Sequence, residues 1–175
     1  TVQVKLNLEL AMNPLMVDIA CRVAPDQVTI VPGNREEVTT EGGLDVVRHK
    51  KELAATIGKL QEAGIIVSLF IDPEPEQIQT AAALSVPAVE LHTGAYANAA
   101  KNSLEELQLL ARAATFVHQA GLILNAGHGL TYRNVTPVAE LEGMEELNIG
   151  HSIVARAVFV GMAEAVREMK DLIGR

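Results

Sequence analysis

The chain has 175 residues, enough to bury a sizeable single core, and 49% of them are hydrophobic and 21% charged, as in ordinary globular proteins. Its net charge of −8 argues against a nucleic acid or an anionic membrane as a partner, because both would be repelled. The single cysteine, Cys21, excludes a disulfide framework and indicates a reducing compartment, and no apolar run approaches the roughly 20 residues of a membrane span.

Short apolar runs alternate with longer amphipathic segments along the whole sequence. The runs predict strands at residues 4–10, 27–31, 65–71, 88–91, 122–125 and 146–149. The segments between them predict helices at residues 14–23, 44–63, 74–84, 104–120, 136–141 and 153–173. The last of these is long enough to be two helices that meet near Gly161. This alternation predicts a parallel sheet covered by helices.

The length of the strand–helix repeat indicates a barrel. About 25–30 residues per repeat suit a (β/α)8 barrel, which has about eight units and about 250 residues. Six units are predicted in this sequence, and six cannot close such a barrel. Either the sheet is open or the first two units are absent, and the start at Thr1, almost directly inside a strand pattern, favours the second. We therefore expect an α/β fold of the TIM-barrel type in which residues 1–175 form one domain, equivalent to strands three to eight.

The first predicted strand carries polar residues on one face. Lys5, Asn7 and Glu9 alternate with leucines, so their side chains point the same way. Polar groups inside a barrel are costly unless they pair or serve a site. Glu9 is therefore either a general base, with a pKa tuned by burial and by Lys5, or the partner of Lys5 in a buried ion pair that supports the core.

A long loop follows the second strand and contains Thr39-Thr40-Glu41-Gly42-Gly43. Long loops at the carboxyl ends of strands are common binding elements. The hydroxyls and glycine amides of this loop could hold a phosphate or a sugar. A threonine-rich loop is also typical of a solvated turn, so both interpretations stay open here.

Ionisable residues end the fourth and fifth predicted strands. Glu90 and His92 lie two positions apart and share one face, which favours an acid–base or orienting pair. His128 follows the next strand between two glycines, which allow unusual backbone angles and close approach of a ligand. A metal site formed by these residues with Glu9 is an alternative, but no tight ligand spacing supports it.

The last strand leads into the last helical segment through Gly150-His151-Ser152. Backbone amides at a helix N-terminus bind anions, and barrels often hold phosphate after their seventh and eighth strands. The alternative is a plain glycine turn in which Ser152 caps the helix.

Six motifs, in this order, resemble the pyridoxine 5′-phosphate synthase (PdxJ) family. They are Asn-Leu-Glu-Leu-Ala at 7–11, Arg-Glu-Glu-Val-Thr-Thr-Glu-Gly-Gly-Leu-Asp at 35–45, Val-Ser-Leu-Phe-Ile-Asp at 67–72, Glu-Leu-His-Thr-Gly at 90–94, Asn-Ala-Gly-His-Gly-Leu-Thr-Tyr at 125–132 and Glu-Leu-Asn-Ile-Gly-His-Ser at 146–152. The second and fifth are long enough to be highly specific.

The resemblance implies a phosphate-binding (β/α)8 barrel that condenses 3-amino-2-oxopropyl phosphate with 1-deoxy-D-xylulose 5-phosphate. The products are pyridoxine 5′-phosphate, phosphate and water, in vitamin B6 biosynthesis. The resemblance implies no metal and no organic cofactor, and it implies a homo-octamer in the cytoplasm.

The resemblance also implies roles for individual residues. Glu9 matches the family's general base, His128 its proton donor, and Glu90 the group that stabilises the transition state. Four further positions match substrate contacts: Thr39 for the deoxyxylulose phosphate, and Gly129, Gly150 and His151 for the phosphate of the amino ketone.

The sequence departs from the family at its start. It lacks the Asn-x-Asp-His motif of the first strand and the His-x-Arg-Glu-Asp stretch of the second, which brings another catalytic histidine and a phosphate-binding arginine. We therefore expect the 175-residue chain to be inactive by itself. Two other functions fit the fold: a phosphate-barrel aldolase or isomerase, which predicts a Schiff base at Lys5, and a non-catalytic phosphate-ligand binding protein.

Overall fold

The computed structural model describes residues 3–33, 42–99 and 103–174. In these residues six parallel strands lie in the order of the sequence and curl into a half-barrel, which confirms the predicted fold class. The strands are β1 Asn7–Ala11, β2 Gln27–Val31, β3 Ile66–Ile71, β4 Ala88–His92, β5 Ile123–Gly127 and β6 Met144–Asn148. The helices are α1 Pro14–Val23, α2 Lys50–Glu62, α3 Pro75–Ala83, α4 Gly94–Asn98, α5 Ser103–Gln119, α6 Val135–Ala139, α7 His151–Val160 and α8 Met162–Leu172.

The hydrophobic core lies between the outer face of the sheet and the helices. In the central strands alternate residues such as Ile30, Leu69 and Leu124 are fully buried there, together with helix residues such as Leu53 and Val117. The residues between them point into the half-barrel and are largely polar. Because all strands are parallel, their carboxyl ends meet at one rim, where the loops form a site.

Helix α2 is shorter at its start than predicted. Residues 44 and 45 are irregular and residues 46–49 form turns. Other groups hold two of their amides: the Leu44 amide donates to the Phe70 carbonyl and the Val46 amide to the side chain of Gln77. Leu44 and Val46 are buried, so their apolar character reflects packing of a loop. These contacts join residues far apart in the sequence, so the local spacing of apolar residues could not distinguish a packed loop from a helix here.

Two further differences are local. The short helix α4, Gly94–Asn98, was not predicted, because five residues carry no amphipathic repeat. The last helical segment is divided at Gly161, as the sequence indicated. Gly161 ends α7 and precedes α8 with a φ of 85°, which favours glycine.

Candidate active site

A cavity of about 970 Å³ opens at the carboxyl ends of the strands. Six of the seven site residues predicted from the sequence line it: Glu9, Glu90, His128, Gly129, Gly150 and His151. The seventh, Thr39, lies outside the described residues. The structure thus brings together residues from four strand ends that are up to about 140 positions apart in the sequence.

Glu90 is the buried carboxyl of this cavity. It lies in the middle of β4, only 3% of it is exposed, and Asn148 on β6 donates a hydrogen bond of 2.8 Å to its Oε2. Loss of solvent raises its pKa to about 7, and the nearby carboxylates of Glu9 and Glu146 act in the same direction against the Asn148 hydrogen bond. Glu90 can therefore take up or release a proton near neutral pH.

Gly127 makes room for the Glu90 carboxyl. A Cβ at this position, on the neighbouring strand β5, would lie 2.2 Å from Glu90 Oε1 and 3.0 Å from the Asn148 carbonyl oxygen. The absence of a side chain at Gly127 is what lets the buried carboxyl sit between β4 and β6.

Glu9 lies in different surroundings from those expected. Its side chain is exposed at the cavity rather than buried, and Lys5 is bonded to Glu146 instead, with 2.7 Å between Lys5 Nζ and Glu146 Oε2. The expectation of a Lys5–Glu9 pair is therefore wrong. Asn7 also contacts Glu146, at 3.3 Å, because the inward faces of the edge strands β1 and β6 approach each other across the half-barrel.

The backbone at His128 is strained, and hydrogen bonds from Thr93 hold it in place. His128 has a φ of 81°, a region that costs a residue with a Cβ about 1–2 kcal/mol. Thr93, fully buried, donates from its amide to the Gly127 carbonyl at 2.8 Å. Its hydroxyl shares its one proton between the same carbonyl, at 2.7 Å, and that of His128, at 2.5 Å. These bonds hold the imidazole out into the cavity.

Hydrogen bonds from two tyrosines and a serine fix the rest of the loop that follows His128. Tyr96 donates to the Asn134 carbonyl at 2.9 Å, Tyr132 to the Ala165 carbonyl at 2.7 Å, and Ser152 to the Leu130 carbonyl at 2.9 Å. Polar groups from α4 and α7 and a carbonyl of α8 thus fix the loop that carries the histidine.

The N-terminus of α7 faces the cavity. Gly150 is its N-cap, and no described side chain caps the helix. Ser152, considered above as a capping residue, instead donates its hydroxyl to Leu130. Uncapped amides of a first helical turn, together with the positive end of the helix dipole, attract an anion such as phosphate.

Three aromatic rings stand beside the cavity. His92 is buried, and its ring lies edge-on to His128, with 5.0 Å between centroids, and to Phe70, with 5.1 Å. Its Nδ1 is 2.9 Å from Asp72 Oδ1. This hydrogen bond holds the pKa of Asp72 below its usual value, and the Gly43 amide acts in the same direction, both against burial.

Several of these residues escaped the sequence analysis. Thr93, Asp72 and Asn148 act through partners at least 20 positions away, so no local pattern indicates them. The one available signal was that all three lie inside or beside the motifs quoted above.

Across the described ranges 3–33, 42–99 and 103–174, no three His, Cys, Asp or Glu side chains are arranged to hold a metal ion. Within the same ranges, each helix is too short or too polar to cross a membrane. The chemistry that these residues can support is proton transfer, since the cavity combines a carboxyl with a pKa of about 7, an exposed carboxylate, an imidazole and an anion-binding helix end.

Comparison with known proteins gives a consistent result. A family model described as "Pyridoxal phosphate biosynthesis protein PdxJ" matches residues 1–175. The chain is 57% identical over 174 residues to the pyridoxine 5′-phosphate synthase of Synechococcus sp. (strain WH7803), covering 99% of this chain and 70% of that protein. It is 56% identical over 174 residues to that of Rhodopirellula baltica, covering 99% of this chain and 71% of that protein.

Solved structures with the same fold are more distant. A xylose isomerase domain protein from Planctomyces limnophilus superposes with a TM-score of 0.57 at 14% identity, covering 94% of this chain and 69% of the other. The citrate synthase SbnG superposes with a TM-score of 0.54 at 12% identity, covering 96% and 72%. These likenesses concern the fold alone.

Proposed function

The chain belongs to the PdxJ family of pyridoxal phosphate biosynthesis proteins, and we propose that its cavity performs the pyridoxine 5′-phosphate synthase reaction. The substrates are 3-amino-2-oxopropyl phosphate and 1-deoxy-D-xylulose 5-phosphate. The products are pyridoxine 5′-phosphate, phosphate and water. One observation carries this proposal: six positions assigned to the site by motif line one cavity at the strand ends.

The proposed roles follow from the surroundings of each group. Exposed Glu9 is the general base, and His128, held out into the cavity, is the proton donor. Glu90 stabilises charge in the transition state, and its pKa of about 7 lets it do so in either protonation state. Ring formation through imine and enamine stages needs several proton transfers, which suits a site with several such groups.

The phosphate groups need local attraction, because the chain carries a net charge of −8. The α7 N-terminus offers it, so we assign the amino-ketone phosphate to Gly150 and His151, with Gly129 beside them. Thr39 is assigned to the deoxyxylulose phosphate by its motif.

We further propose that residues 1–175 act as one domain equivalent to strands three to eight of the barrel, and that the protein works as a homo-octamer in the cytoplasm. The single cysteine supports a reducing compartment. Size-exclusion chromatography with light scattering on the intact protein tests the assembly, and a monomer would contradict it.

The direct test mixes both substrates with a full-length version, in which residues 1–175 follow the first two strand–helix units, and follows pyridoxine 5′-phosphate by chromatography. This full-length protein is the wild type for every kinetic measurement, since the 175-residue chain by itself is expected to be inactive. We expect product from the wild type, a loss of at least about 100-fold in kcat for His128→Ala, and no change for His118→Ala, an exposed histidine of α5. Absence of product from the folded wild type would contradict the function. An unaffected His128→Ala variant would contradict only the role of His128.

The aldolase alternative is disfavoured by the surroundings of Lys5. Its amine is ion-paired with Glu146 and is not among the residues that line the cavity. A Schiff-base lysine must present a neutral amine to the substrate. We expect borohydride treatment with either substrate to leave no adduct on Lys5, and an adduct found there by mass spectrometry would revive that alternative.

A further inference from the structure

Asp72 holds two parts of the molecule with one oxygen atom. Its Oδ1 lies 2.9 Å from His92 Nδ1 and accepts the amide of Gly43, also at 2.9 Å. An ionised carboxylate can only accept, so His92 carries its proton on Nδ1. Asp72 follows β3 and does not line the cavity, so any effect on the reaction has to pass through these two partners.

The first partner, His92, contacts His128, the proposed proton donor. His92 is 4% exposed and packs edge-on against the ring of His128. Gly94 leaves space for both, since a Cβ there would lie 2.4 Å from His92 Nε2 and 3.4 Å from His128 Cδ2. With so little room, rotation of the His92 ring would displace the His128 ring.

The second partner, Gly43, packs against the end of β3. A Cβ on Gly43 would lie 2.3 Å from the Asp72 amide nitrogen, so only glycine packs this closely there. The next residue, Leu44, donates its amide to the Phe70 carbonyl at 2.7 Å. Asp72 is therefore itself held at the strand end by the Gly43 amide, which limits the positions its carboxylate can take beside His92.

We propose that Asp72 is a positioning residue for the synthase reaction, which orients His128 through His92. This inference rests on the proposed function. It assigns to the His92 bond an effect on the proton donor and hence on kcat, and to the Gly43 bond a local effect on stability at the end of β3.

Two substitutions at position 72 weaken the His92 bond to different degrees. In Asp72→Asn the amide oxygen can still accept from Gly43 and from His92, but the negative charge that strengthens the His92 bond is lost. We expect kcat to fall about 10-fold with KM for both substrates within about two-fold of wild type. In Asp72→Ala both bonds are lost, and we expect a further fall of about five-fold in kcat with KM again within about two-fold.

A double-mutant cycle tests whether Asp72 acts through His92. We expect Asp72→Asn combined with His92→Gln to lose no more kcat than the worse single variant, because both act on the same bond. Asp26→Asn, at the opposite end of the strands, is the matched control and should keep wild-type kcat and KM. Additive losses in the double variant, or wild-type kinetics in Asp72→Asn, would overturn the inference.

A spectroscopic readout keeps this test separate from the proposed function. By NMR we expect a slowly exchanging Nδ1–H signal from His92 in the wild type, and both this signal and the ring signals of His128 should shift in Asp72→Asn. If the wild type makes no product, the synthase proposal fails while these shifts still establish the link from Asp72 to His128. If the wild type is active and the His128 signals do not move, the inference fails and the function stands.

Discussion

Glu90 and Glu9 line one cavity, but one lies in a buried region of the sheet and the other in an exposed region. Glu90 lies on β4, a central strand with neighbours on both sides, and is 3% exposed, whereas Glu9 lies on the edge strand β1 and is exposed. Burial raises the pKa of Glu90 to about 7, and the charge of Glu9 adds to that rise. Position in the sheet thus gives the same side chain two different environments, which suit two different proposed roles.

The largest expected effect is on the stability of the folded chain, and it distinguishes Glu90 from Glu9. The pKa of Glu90 is about 7 in the folded chain against 4.5 for an ordinary glutamate, so its contribution to stability is fully present below pH 4.5 and is lost as pH rises through 7. Glu90→Gln should therefore be more stable than wild type by about 3 kcal/mol at pH 8 and nearly equal to it at pH 4.5.

Urea unfolding at the two pH values measures this difference. Glu9→Gln is the matched control, because its side chain is exposed. Equal pH dependence for both variants would remove the contrast between the two regions.

The next effect tests how closely the Glu90 region is packed. Gly127→Ala should lower the free energy of unfolding by about 1–3 kcal/mol, because its Cβ would meet the Glu90 carboxyl at 2.2 Å. Gly58→Ala, in α2 with open space around it, should instead stabilise by up to about 1 kcal/mol. Thermal unfolding compares them, and a Gly127→Ala variant as stable as wild type would show that the region is loosely packed.

Thr93, which directly follows β4, tests how this buried region holds the end of the neighbouring strand β5. Thr93→Val removes the hydroxyl bonds to the carbonyls of Gly127 and His128, so we expect a loss of about 1–2 kcal/mol in stability and of about 10-fold in kcat. Thr93→Ser keeps the hydroxyl and should retain most of both. If Val and Ser behave alike, the bonds do not hold His128 in place.

How much of this the sequence could predict depends on the range of the contact. The alternation of apolar runs predicted all six strands, and parallel strand ends explain why Glu9, Glu90 and His128 converge. The predicted pairing of Lys5 with Glu9 was wrong. The observed partner, Glu146, lies 141 positions from Lys5, and their contact depends on the curl of the sheet.

The smallest effect concerns the coupling between the two glutamates. The charge of Glu9 raises the pKa of Glu90, so Glu9→Gln should lower it. Carboxyl ¹³C NMR follows the titration of Glu90 in both proteins, and an unchanged midpoint would mean that the two groups do not sense each other across the cavity.

The same NMR titration of the wild type tests the central claim most directly, which is that one cavity holds a buried carboxyl poised for proton transfer near neutral pH. The account predicts a midpoint of about 7 for Glu90. A midpoint at the ordinary 4.5 would contradict it, since Glu90 would then be fully ionised at neutral pH and could not exchange a proton there.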